Sequence, residues 1–397
     1  MRISTLNFLQ GPVESITKLQ GELQRTQAQV ASGTRLLSPS DDPAAAGRVQ
    51  ELERWKLAAT QQQRNGDLLT SRLSLQETAL ADVTDILQRM QELAVQGGNG
   101  ALESSARGML AVEVRTRAEQ LLQIANRRTP SGEYLFAGAR IGAEPFSRQS
   151  GGIQYQGDDL VRMVEIAAGQ RVADGFTGSD LFMRVPAGNG SFSLRADPAN
   201  AGSGVTGAGA LVDPTAWDGA PYRVLFMADG TWEARDADDA LVATASYASG
   251  AAIEFRGIRL SVSGTPVAGD RFHVEPSGSE DMFGTLERLA ASLEAPVATA
   301  AQRAAAANAM NSLLMQIGQA MDHVSDARSI IGARLTAVDD ASALRAALEE
   351  DISKSLSKLR DTDYTEALTR LNLQLTGLQA AQQSYAKLAR LSLFDYL

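Results

Sequence analysis

A heptad-like spacing of apolar residues occupies both ends of the chain and is missing from its middle, and it restricts the possible folds more than anything else in the sequence. Steps of three and four residues link Leu6, Leu9, Val13, Ile16, Gln20, Leu23, Gln27 and Val30. A second run links Leu69, Leu73, Gln76, Leu80, Val83, Leu87, Met90 and Ala94. Toward the other end the same steps connect Leu313, Ile317, Ala320, Val324, Ala327 and Ile331, then Leu344, Leu348, Ile352, Leu356 and Leu359. The last run takes in Tyr364, Leu368, Leu371, Leu375, Leu378, Gln382 and Tyr385. Such spacing lays one apolar stripe along a helix and calls for a second helix to cover it. A helix of this kind is marginal alone in water, so the runs at opposite chain ends are expected to be partners. Leu6, Leu9, Val13, Ile16 and Leu23 would then meet Leu368, Leu371, Leu375, Leu378 and Tyr385 as an assembly interface.

Between about 150 and 280 the pattern changes to glycines, short alternating segments and turn dipeptides. "YRVLFMADGTWEA" predicts a hairpin in which Asp229 and Gly230 supply positive backbone angles. "AIEFRGIRLSVSG" predicts one or two further strands. A helix is expected from Glu103 to Asn126. With 397 residues there is room for two or three domains. The expected fold is α+β, mainly α: a long-helix coiled-coil core built from both chain ends, with a β-rich insertion in the middle. Residues 1–146 and 281–397 would form the core, and residues 147–280 the insertion. Aromatic residues are only 5% of the chain, which suits helices packed through small and aliphatic side chains.

The chemically suggestive motifs favour punctuation over catalysis. In "SGTRLLSPSDDPAAAG", Asp42 is placed as a helix N-cap with Pro43 at the first helical position, and Asp41 belongs to the turn before it. Arg35, close by in the sequence, is the expected partner for either carboxylate. Asp363 and Glu366 read as another helix start, with Asp361 solvated or paired to an arginine. "GSGVTG" at 202–207 has dinucleotide-loop spacing but lacks the strand before it and the helix opening within it. "NGS" at 189–191 is a formal glycosylation sequon. His273 and His323 lie far apart, there is no cysteine, and the net charge is −10. These features argue against a metal centre, a thiol nucleophile and a nucleic-acid-binding face. No catalytic residue, cofactor or metal is expected.

The N-terminus lacks the apolar core and cleavage site of a signal peptide, and no apolar run approaches a membrane span. Alone, those criteria predict a soluble cytoplasmic protein. However, "VASGTRLLSPSDDPAAAGRVQEL" and "LRDTDYTEALTRLNLQLTGLQAAQQSYAKLARLSLFDYL" resemble the two ends of bacterial flagellins and their relatives. "GEYLFAGARIGAEPF", "YQGDD", "GIRLSVSGTPVAGDRF" and the terminal "LSLFDYL" are more similar to the hook-associated branch of that family than to filament flagellins. The resemblance implies a structural, non-enzymatic subunit at the hook–filament junction. It implies export through the flagellar type III apparatus without a cleaved signal peptide, and hence an extracellular location. Its implied partners are further copies of itself, an adjacent hook-associated junction protein, the flagellin filament and an export chaperone acting on the C-terminal helices. A filament-forming flagellin is the alternative, and an enzyme or adhesin module displayed by the insertion is a further one.

Overall fold

The computed structural model describes residues 5–394, with side chains described from 10 to 387. The fold is α+β and mainly α. The helices are α1 (Thr5–Ser32), α2 (Pro43–Gly97), α3 (Ser104–Ala125), α4 (Met282–Glu294), α5 (Ala300–Arg360) and α6 (Tyr364–Phe394). Among the described residues, all the β-strands fall between α3 and α4. The chain divides into two compact units: one combines residues 1–64 with 340–397, and the other comprises 65–339. The division falls inside α2 and α5, both of which continue through it.

In the first unit α1 packs along α6, and the start of α2 packs against the end of α5. Leu52, Ile352 and Leu356 are buried together, with Val49 and Leu359 beside them. Leu344 and Leu348, expected on the covered stripe, are instead exposed. The covered face of α5 passes through Val338, Ala341 and Arg345 before reaching Ile352. Arg345 holds its place by donating Nε and Nη2 to Gln63 Oε1, at 3.0 and 2.8 Å. A paired polar side chain thus occupies a position that a search for apolar residues passes over.

In the second unit the predicted stripes are buried at every position, from Leu69 to Ala94 on α2 and from Leu313 to Ile331 on α5. Gln76 belongs to that stripe for a reason. Its Nε2 donates to the Leu135 carbonyl (3.0 Å) and its Oε1 accepts from the Phe176 amide (3.2 Å), so the buried amide is satisfied on both sides. Arg72, one turn earlier, donates to the Tyr134 and Leu135 carbonyls and pairs with Glu133 and Asp174. These bonds fix the "YLFAG" segment, whose Phe136 joins Phe146, Phe182 and Phe283 in an aromatic cluster with neighbouring ring centroids 5.3–5.9 Å apart.

Two antiparallel hairpins open the β region: β1 (Phe146–Gln149) with β2 (Gly152–Tyr155), and β3 (Met163–Ala167) with β4 (Gln170–Ala173). The short β5 (Val185–Pro186) pairs with the last strand, β15 (Ser279–Glu280). The larger strands are β6 (Phe192–Ala196), β9 (Tyr222–Phe226), β10 (Thr231–Arg235), β11 (Leu241–Ser246) and β14 (Arg271–Pro276). They form one sheet in the order β11-β10-β9-β14-β6. Facing it are β12 (Ala252–Phe255), β13 (Ile258–Ser263), β7 (Val205–Thr206) and β8 (Ala210–Leu211). Alternate residues such as Val224, Phe272, Leu260 and Val262 point into one shared core, as two sheets with one covered face each require.

The hairpin over "YRVLFMADGTWEA" is present as β9–β10, but its turn departs from the expected form. Gly230 has φ +77°, whereas Asp229 is absent from the positive-φ residues and its carboxylate accepts from the Thr231 amide at 3.0 Å. The two-residue turn with both central angles positive occurs two hairpins later, at Arg256 (φ +47°) and Gly257 (φ +76°), between β12 and β13. The glycine-rich 202–207 segment runs into β7. There Asn308 of α5 accepts from the Thr206 amide (2.7 Å) and donates to the Gly204 carbonyl (2.9 Å), a structural anchorage. The Asn189 side chain of the sequon is likewise engaged, with Gly209, Ser191 and Phe192.

Candidate functional site

The first unit brings together the two segments in which carboxylates punctuate helices. The turn joining α1 to α2 and the turn joining α5 to α6 lie against each other. Thr34 and Asp361 form an antiparallel bridge, the Thr362 amide donates to the Gly33 carbonyl (3.0 Å), and the Arg35 amide donates to the Arg360 carbonyl (2.6 Å). Gln29, buried on α1, donates to the Arg35 carbonyl at 2.7 Å. Gly33 has φ +71°, a backbone angle that favours glycine, and a Cβ there would meet the Tyr364 hydroxyl, which would have to shift.

Asp42 is the N-cap of α2: its Oδ1 accepts from the Ala45 amide at 3.0 Å, and Pro43 is the first helical residue. Asp41 organises the loop before it. Its Oδ2 accepts from the Leu37 and Ser38 amides, each at 3.0 Å. Its Oδ1 pairs with Arg25 of α1 at 2.6 Å and also accepts from the Ser38 hydroxyl. The hydrogen bond from the Ser38 amide is the main reason its carboxyl titrates below the ordinary 3.8, with the Leu37 amide and Arg25 adding to it. The expected pairing with Arg35 is therefore replaced by one with Arg25. The Arg35 guanidinium reaches across to the Leu359 carbonyl (3.0 Å), where a cation meets the negative end of α5. Asp363 caps α6 by accepting from the Thr365 and Glu366 amides, and Asp361 pairs with Arg360.

Beyond this joint, α1 and α6 run side by side, and their covered and open faces can be separated residue by residue. On α1, Leu23 and Thr26 are buried and Ile16 is half-buried, while Val13, Gln20 and Gln27 are exposed. On α6, Ala367 is buried, Leu371, Leu378 and Tyr385 are half-buried, and Leu368 and Leu375 are exposed. The side chains of Leu6 and Leu9 lie outside the described residues. The eight described residues of the expected interface are thus spread over a covered and an open side of the helix pair. Ile16, Leu23, Leu371, Leu378 and Tyr385 belong to the partly covered side, and Val13, Leu368 and Leu375 to the open one. Gln29, Gly33, Arg25 and Thr362 were missed by sequence reasoning. Among these, only Gln29 carries a signal: a polar residue at the covered edge of an amphipathic helix.

Among the described residues, no group of three or more His, Asp or Glu side chains is placed to hold a metal ion. No helix among them is long and apolar enough to cross a membrane.

Three family models match the chain. The bacterial flagellin N-terminal helical region matches residues 3–140, and the bacterial flagellin C-terminal helical region matches residues 314–397. The D2-like domain of flagellar hook-associated protein 1 matches residues 196–276, which cover most of the sandwich. Flagellar hook-associated protein 3 of Salmonella typhimurium is 32% identical over 182 residues, which are 46% of this chain and 57% of that protein. The crystal structure of Xanthomonas campestris FlgL is 36% identical with a TM-score of 0.73, covering 77% of this chain and 99% of that one. The flagellar junction protein FlgL of Legionella pneumophila is 28% identical with a TM-score of 0.71, covering 79% of this chain and 100% of that one. The chain belongs to the flagellin family, in its hook-associated protein 3 branch.

Proposed function

We propose that this chain is a structural subunit of the bacterial flagellum that joins the hook, through a neighbouring hook-associated protein, to the flagellin filament. The observation that carries this reading is the open apolar face of the terminal helix pair. Val13, Leu368 and Leu375 are 45, 46 and 36% exposed on helices whose other side is already used. A row of exposed leucines costs solubility in a free monomer and gains meaning once neighbouring subunits cover it. Burial returns about 25 cal/mol per Å² of apolar surface, repeated for every subunit. The similarity to flagellar junction proteins from two other bacteria supports the same reading.

On this reading the subunit assembles with copies of itself, contacts the adjacent junction protein on one side and the filament on the other, and works outside the cell. An export chaperone would hold the C-terminal helices before assembly. Residues 147–280 would form the inserted domain, anchored to α5 by contacts such as those of Asn308 with Thr206 and Gly204. We assign the chain no reaction and no cofactor.

The test is the double substitution Leu371→Asp and Leu375→Asp, which alters the half-covered and the open face of α6 together. Electron microscopy of cells carrying it should show hooks without attached filaments, with filament protein shed into the medium. The purified variant should keep the tryptophan emission of its β region. Normal filament attachment would refute the assignment of the interface. Growth of long filaments from the purified wild-type protein alone would instead favour the filament-forming alternative.

A further inference from the structure

Arg107 is a buried cation in an unusual position. It lies in the first turn of α3, where the helix dipole is positive, and it is 5% exposed. Glu103, the N-cap residue, gives that turn no side-chain cap. Among the described residues Arg107 forms no ion pair. Its Nη2 donates to the Ser292 carbonyl in the last turn of α4 (2.7 Å), and its Nε is buried without a partner. The Ser292 hydroxyl, also nine-tenths or more buried, is likewise unpartnered. A guanidinium withdrawn from water is stable only when an anion or a full set of acceptors replaces the lost hydration. Neither is supplied by the surrounding side chains.

A cleft of about 240 Å³ adjoins this arginine. Its walls include Gly97, Gly98, Gly100, Arg107, Arg303 and Met310, and no carboxylate lines it. Arg303 is held there by donating Nη1 to the Ala298 carbonyl at 2.9 Å. The amides of Gly98, Asn99, Ala101 and Leu102 are all taken up within the chain, whereas Gly100 has no such bond and is exposed. Gly97 leaves no room for a side chain, since a Cβ there would collide with Leu293. The cleft therefore combines two guanidinium groups, a free amide and closely approached backbone in a chain that is acidic overall.

We propose that this cleft is an oxyanion-binding site in which Arg107 is the buried anchor and Arg303 the outer clamp. Its ligand carries one phosphate-like or carboxylate group. That group comes either from a free anion or from an acidic side chain of a neighbouring protein. The cleft is smaller than the ~300–1,000 Å³ typical of sites for drug-sized ligands, and it suits a single small group.

The test is a titration of the full-length protein with inorganic phosphate, and separately with acetate, at constant ionic strength. The readouts are the thermal unfolding midpoint and the Gly100 amide resonance. Wild type should show a saturable rise in midpoint and a shift of that resonance. Arg107→Gln should abolish both, and Arg303→Gln, an exposed substitution that leaves the core intact, should weaken binding by about tenfold, as expected for losing one charge-assisted contact. Tighter binding of phosphate identifies a free anion as the source, and tighter binding of acetate identifies a protein carboxylate; both support the site. No saturable response to either anion would overturn the proposal. So would an undiminished response in a folded Arg107→Gln protein. If Arg107→Gln does not fold, unchanged affinity in Arg303→Gln would refute it.

Discussion

Replacing Asp42 with alanine removes the acceptor that satisfies the Ala45 amide at the start of α2, and loss of such a cap costs about 0.5–2 kcal/mol. The expected outcome is a lower urea midpoint with an unchanged slope. Its neighbour should behave differently with pH. The Asp41 carboxyl titrates below 3.8 in the folded protein, chiefly because the Ser38 amide bonds its ionised form. A depressed carboxyl contributes stability that is present above its unfolded value and is lost as pH falls through the folded one. Asp41→Asn should therefore be less stable at neutral pH and lose less between about pH 5 and pH 2. Helical circular dichroism followed through an acid titration checks this, and superimposable curves for the two proteins would contradict it. The sequence made the capping role of Asp42 visible, because a short polar residue before Pro-Ala-Ala has few other uses. It could not reveal that Asp41 pairs with Arg25 instead of the nearer Arg35, since that choice depends on how the turn folds back along α1.

Between elements, legibility follows the number of covered faces. The stripes Leu69–Ala94 and Leu313–Ile331 were readable in full because each helix there presents one apolar face to one core. Near the chain ends, apolar residues lie on more than one face. The spacing rule therefore gathered Val13, Leu344, Leu348 and Leu368 into stripes that the monomer leaves open. The hairpins show a related ambiguity. Asp-Gly is the familiar signal for a tight turn, yet here it closes a longer loop, and the two-residue turn uses Arg256-Gly257. That assignment predicts that Gly257→Ala is costly. The new methyl must adopt φ +76° and meets the Asp213 carbonyl, a strain of about 1–3 kcal/mol. Faster hydrogen exchange in β12 and β13, with little change in the helices of the first unit, is the expected signature. A uniform loss of protection throughout the chain would point away from a local origin.

At the scale of the whole chain, the two units differ in how much they bury. The first has a thin core around Leu52, Ile352 and Leu356, whereas the second holds an aromatic cluster and a complete sandwich core. Local stability should differ accordingly. In a Trp55→Phe background the remaining tryptophans, Trp217 and Trp232, report only on the second unit. Urea should then remove part of the helical circular dichroism before tryptophan emission changes, and coincident transitions would show that the units unfold together. The pairing of α1 with α6 also sets a timetable. The ribosome finishes α1 at Ser32 and does not begin α6 until Tyr364. At about 5–20 residues per second, that interval lasts on the order of a quarter of a minute to a full minute. Throughout it, α1 lacks its partner helix. The glutamines at 20, 24 and 27 keep its surface compatible with that wait. Every newborn molecule thus spends most of its synthesis with one end open to being claimed by something else.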